Sequence, residues 1–184
     1  MPSVPAPLAL VESFLNSIDV ETGLDDLVDV PTFRRWLADH DRPADADADD
    51  LDLARRLRDE LRDEAGTHHA PPDEAVPRDR ATLDALAARV PLGVRFGPDG
   101  APVPVPTGTG VTAVLGEVLA AVTLAAHDGT WRRMKICPAD DCRWVYYDAS
   151  RNSSRRWCSM RVCGNRNKTR TYRRRAAPAG DTDG

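Results

Sequence analysis

Apolar residues recur at spacings of three and four from Leu8 to Ile18, where Leu8, Val11, Phe14, Leu15 and Ile18 share one side of a predicted helix. After a turn at Thr22-Gly23, Pro31 is placed as a first-turn residue of a short helix carrying Phe33, Trp36 and Leu37. Beyond the break at Pro43, a third helix begins within 44–52 and runs through Leu53, Leu57 and Leu61 to a stop at Gly66. Its acidic beginning, ADADADDLD, complements the positive end of the helix dipole and reads as a solvated, capped start rather than as an acidic decoy for basic sequence elsewhere. A fourth helix is predicted over 78–89, with Leu83, Leu86, Ala87 and Val90 inward.

The period then changes. PLGVRFGPDGAPVPVP, residues 91–106, places β-branched residues on both sides of the turn signal Gly97-Pro98-Asp99-Gly100 and predicts a hairpin, with Pro102, Pro104 and Pro106 confining its second strand to an edge or an irregular segment. A fifth helix follows over 110–127. Met134-Lys135-Ile136 and Arg143-Trp144-Val145-Tyr146-Tyr147 read as the strands of a second, smaller hairpin. Beyond Cys158 the chain reads as helix, starting either there or only at Gly164-Asn165, since a helical glycine costs about 1 kcal/mol and asparagine is a good cap. The expected fold class is α+β, mostly helical. A helical amino-terminal domain with a small β-hairpin spans 1–130, a hairpin-plus-helix unit spans 131–175, and 176–184 reads as a disordered tail.

Charge divides the chain at the same place. Residues 1–130 hold 11 Lys/Arg against 24 Asp/Glu, net −13, whereas 131–175 hold 14 against 3, net +11, so the overall −4 hides two opposite halves. The second half is also small enough that a metal or disulfides are usually needed to hold such a piece together. No basic segment precedes the apolar residues of the amino terminus, and the stretch 111–126 is 16 residues long and contains Glu117. A cytoplasmic chain with no membrane partner is therefore expected, and in a reducing compartment clustered cysteines are metal ligands more often than bridges.

Cys137, Cys142, Cys158 and Cys163 have the spacing C-x4-C-x15-C-x4-C, the form of a tetrathiolate zinc site in which each pair occupies one tight turn. Four thiolates leave no open position, so one zinc would be structural rather than catalytic. An iron–sulfur cluster and four unrelated or redox-paired thiols are the alternatives. His68 and His69 lie in a polar, proline-flanked stretch and read as solvent-exposed loop residues. There is no HExxH, phosphate-binding glycine loop or GxSxG, and nothing nominates an enzyme.

Arg166, Arg170 and Arg173 fall at i, i+4 and i+7, on one helical face with Arg174 close by. Like charges so placed repel, which suggests a polyanionic partner. Arg155, Arg156 and Lys168 complete the set of candidate nucleic-acid contacts. Trp157 is expected to pack on the small hairpin and shield the thiolates, and Asn165 to cap the helix rather than read adenine. Asp148 and Arg151 are expected to pair with each other or hold the turn between the cysteine pairs.

From Cys137 to Arg175 the chain closely resembles the CGNR zinc finger. The residues that carry the likeness are Asp148-x-Ser150-Arg151-Asn152, Arg155-Arg156-Trp157-Cys158-Ser159-Met160 and Cys163-Gly164-Asn165-Arg166-x-Lys168. The amino-terminal LALVESFLNSID, the short helix holding Trp36-Leu37 and the long arginine-rich helix are similar to the ABATE domain that precedes that finger. The resemblance implies a bacterial, stress-related transcription regulator that is not an enzyme, with the finger on DNA and an unidentified small-molecule effector for the amino-terminal part. RNA binding and a zinc-dependent protein-interaction module stay open as alternatives. A palindromic target would require a homodimer, for which the amino-terminal helices offer surfaces.

Overall fold

The computed structural model describes residues 4–71, 74 and 78–176, and for Thr171, Arg174, Arg175 and Ala176 it describes the backbone alone. The expected tail lies outside the described residues but for Ala176. The α+β, mostly helical class is the one observed.

Helix α1, Ala9–Leu15, buries Val11, Phe14 and Leu15 and leads into a two-residue ribbon, β1 Ile18–Asp19 against β2 Leu24–Asp25. Helix α2, Val30–Asp39, starts where the Asp29 carboxylate accepts from Thr32 N–H, with Pro31 in the first turn as its fixed φ favours. Helix α3, Ala48–Gly66, opens with Asp47 and Asp50 in a reciprocal capping box, which accounts for the acidic run there. Helix α4 is shorter than expected, Ala81–Ala87.

Strands β3, Leu92–Phe96, and β4, Pro102–Pro106, pair antiparallel in full register. A sheet of two strands consists of edges alone, so the three prolines cost β4 no inner hydrogen bonds. β4 also lies close on helix α5, Gly110–His127, where a Cβ on Gly116 would sit 2.9 Å from Pro106 Cβ. By length and composition α5 could cross a membrane, but Val111, Val114, Leu115, Val118 and Leu119 of its inner face are buried in the core.

Strands β5, Met134–Ile136, and β6, Val145–Tyr147, form the second hairpin, and the described residues end in a π-turn, Met160–Gly164, running into helix α6, Asn165–Ala176. The change of charge at residue 130 is not a gap in packing. Trp131, Met134, Ile136 and Val145 belong to the same buried apolar cluster as Phe14, Phe33, Leu57 and Leu115.

The two edges of this second hairpin are closed by side chains from the amino-terminal part. Asn16 donates from Nδ2 to Val145 O at 2.8 Å and accepts from Val145 N–H at 2.8 Å, standing in for a neighbouring strand along β6. On the β5 edge, His68 donates to Met134 O and His69 to Ile136 O, each at 2.7 Å. Of the two loop histidines expected to be solvent-exposed, His69 is exposed and His68 is not: His68 is 5% exposed, its ring edge-on to Trp131. An unpaired strand edge needs donors, and these two rings supply them.

Candidate metal centre and nucleic-acid interface

Alternation along β5 sends Met134 and Ile136 into the apolar core and Lys135 and Cys137 to the other side. Lys135 there meets Asp148 at 2.7 Å, with side chains only 4% and 0% exposed. Asp148 also accepts from Ser150 Oγ at 2.6 Å and from Arg155 N–H at 2.8 Å. Burial alone would push its carboxyl up, but these donors hold it below the ordinary carboxylate range. Asp148 therefore anchors the turn and pairs with Lys135 rather than with Arg151, which makes no ion pair among the described residues.

The first cysteine pair sits on a knuckle that leaves β5 and returns as β6. Cys137 N–H donates to Trp144 O, Cys142 and Arg143 N–H both donate to Ala139 O, and Arg143 takes a left-handed φ of 54° to finish the turn. The second pair is formed by the π-turn, whose start is capped by Ser159 Oγ accepting from Val162 N–H. Asn165 is not the cap; as the first α-helical residue it donates from Nδ2 back to Arg161 O. The wider π-turn is what lets a helical segment start directly after Cys158 despite Gly164, a position where a Cβ would meet Met160 Sδ at 2.9 Å.

These two turns bring all four Sγ atoms within 4.8 Å of one another. Cys142 Sγ is 3.5 Å from Cys158 Sγ, which is 3.6 Å from Cys163 Sγ. Thiolates about 2.3 Å from a central zinc at tetrahedral angles are about 3.8 Å apart, so the donor set fits one such ion. The thiols are unequal on their own. Hydrogen bonding from the Cys158 thiol pushes Cys137 down to about 5, whereas Cys158 is pushed up by that same bond and by burial, and burial pushes Cys163 up to about 11. Four thiolates this close together repel one another, and a divalent cation is what would make them stable together.

Tyr146 and Trp157 pack against the cysteines, as expected for Trp157. Arg155 braces the second pair: its Nε donates to Trp157 O at 2.8 Å, its Nη2 donates to Cys158 O, and its guanidinium lies 4.9 Å over the Tyr146 ring. Family profiles decide what this unit is. The CGNR zinc finger profile matches residues 133–176, and the ABATE profile, described as "Putative stress-induced transcription regulator", matches 8–129.

The chain belongs to the ABATE family and carries a CGNR zinc finger. No curated protein matches it. Both matched families are of regulator and zinc-finger type rather than enzymes.

Of the basic residues of the CGNR finger, Arg156, Lys168 and Arg173 are exposed and make no ion pair among the described residues. Arg166 and Arg170 differ. Both reach Asp141 of the first knuckle at 2.7 Å, and Arg166 reaches Glu21 of the β1–β2 turn at 2.8 Å. The hydrogen bond from Arg166, then that from Arg170, pushes Asp141 down to about 2. The expected repulsion along this helical face is therefore offset: two of its three arginines form surface ion pairs with carboxylates of the same chain. The Arg174 side chain lies outside the described residues.

Sequence reasoning missed Asn16, Arg62, Lys135 and Asp141. Arg62, 7% exposed, donates to Leu15 O and, at 2.8 Å, to Arg143 O, tying α3 to both α1 and the knuckle. Arginine in a charged helix looks solvated in sequence, and nothing in its spacing marks it as an inward clamp.

Proposed function

We propose that the protein is a DNA-binding transcription regulator whose CGNR finger holds one structural zinc on Cys137, Cys142, Cys158 and Cys163 and presents α6 to the duplex. The observation that carries this reading is the convergence of four Sγ atoms directly under a basic helix. Closed coordination fixes the helix without offering a catalytic site. Arg156, Lys168 and Arg173 make the first phosphate contacts, joined by Arg174. Arg166 and Arg170 join when phosphate displaces Asp141 and Glu21. Arg155 contributes by fixing the second cysteine pair. The ABATE part senses a small molecule.

The test is a salt series of fluorescence polarisation on the zinc-loaded chain with labelled random duplex DNA and with single-stranded RNA, against a chelated control. A zinc-dependent loss of duplex affinity with salt, equivalent to roughly 3–6 released counterions, is expected. Tighter binding to RNA would replace DNA by RNA, for which Tyr172, 74% exposed on α6, would offer a stacking surface. No zinc-dependent binding to either would overturn the reading in favour of protein contacts.

A further inference from the structure

Between the ABATE helices and the finger lies a cleft of about 560 Å³, within the range of small-molecule sites. Its walls are aromatic, with Trp36 of α2 on one side and Trp144 and Tyr147 of the finger on the other. Most polar groups facing it are already engaged. His40 donates from Nδ1 to Trp36 O at 2.7 Å and accepts from Ser13 Oγ at 2.5 Å, its ring stacked 4.1 Å from that of Trp36. Asn16 is held by Val145, and Arg155 has spent its Nε and Nη2 donors on Trp157 and Cys158.

Two carboxylates, Glu12 and Asp26, are the exceptions among the described residues, and of these Glu12 is the one partly withdrawn from water. It lines the cleft half-buried and makes no ion pair among the described residues. Tyr147 N–H is the backbone donor it meets, and burial pushes its carboxyl up. A carboxylate short of a cation, set among rings whose faces are negative, is the chemistry that recognises ammonium groups.

We infer that this cleft binds a small organic cation, an amine or quaternary ammonium with an apolar body, its charge at Glu12 and its body among Trp36, Trp144 and Tyr147. The cation is the ligand class for the sensing role proposed above and rests on that reading for its consequence at DNA. Arg155 lines the same cleft while holding the carbonyl of a cysteine ligand, so occupancy is felt at the second cysteine pair.

Isothermal titration calorimetry on the full zinc-loaded chain tests this, with phenethylamine and benzyltrimethylammonium as cationic probes and 3-phenylpropionate as an anion of similar body. Saturable binding of at least one cation, at least about tenfold tighter than the anion, is expected. Glu12→Gln should weaken it at least about tenfold while zinc content and melting temperature stay at the parent values. Should that variant not fold, Trp144→Ala, which removes a 39% exposed ring, must weaken binding likewise. No binding of either cation up to about 10 mM, equal binding of the anion, or unchanged affinity in the folded variants would overturn the inference. No arm contains nucleic acid, so a failed duplex titration and a failed amine titration are separate results.

Discussion

The two faces of the β5–β6 hairpin are held by different physics. On one, Met134, Ile136 and Val145 join a cluster of twenty-six buried residues. On the other, the cysteine cluster has five, three of them cysteines. The first face is stabilised by apolar area removed from water; the second has too little of it and depends on coordination and a few buried polar contacts. One hairpin thus joins a core that folds by burial to one that folds by ligation.

Removing the metal tests that contrast most severely, because structural zinc in small fingers is worth roughly 10–16 kcal/mol. Cys142→Ser should strip the ion and expose the amides of 137–176 to hydrogen exchange while α1, α2, α3 and α5 keep their protection. Loss of protection throughout would show that the apolar core does not stand alone. Next comes Lys135→Met, which leaves the buried Asp148 without its cation and should cost about 3–5 kcal/mol in denaturant unfolding of the metal-loaded protein. A cost below about 1 kcal/mol would place the pair in solvent.

Asn16→Ala leaves the N–H and C=O of Val145 without partners, and a loss of about 1–3 kcal/mol is expected by thermal unfolding. His68 adds a smaller, pH-dependent effect. Burial holds its folded pKa below the ordinary 6.5, so its contribution is complete above about pH 6.5 and declines as the unfolded chain takes up the proton below it. His68→Gln should flatten the fall in melting temperature between about pH 7 and 5 relative to the parent. Smallest is Glu21→Gln, which frees one exposed partner of Arg166. Melting temperature should not change, while duplex affinity at low salt should rise by at most about fivefold. A larger rise would make Glu21 a principal competitor of DNA.

Much of this was legible in the sequence because its signals are local. Helices α2, α3 and α5, both larger hairpins and the ligand spacing follow from period, caps, turn residues and cysteine counting. What was not legible depends on distant partners. His68 and His69 look like loop residues until β5 presents carbonyls to them, and Arg166 looks free until Asp141, twenty-five residues earlier, is folded beside it. Asn165 satisfies every local rule for a cap, but Ser159 takes that place because the π-turn moves the helix start upstream.

The closed edges of β5 and β6 bear on whether the two parts of the chain can be separated. Moved alone to another chain, the finger would take with it an oily underside of Trp131, Met134, Ile136 and Val145 and two bare strand margins, while the helices left behind would lose part of their floor. Separation would therefore cost both sides, and in this chain the ABATE helices and the CGNR finger are joined mechanically as well as along the backbone.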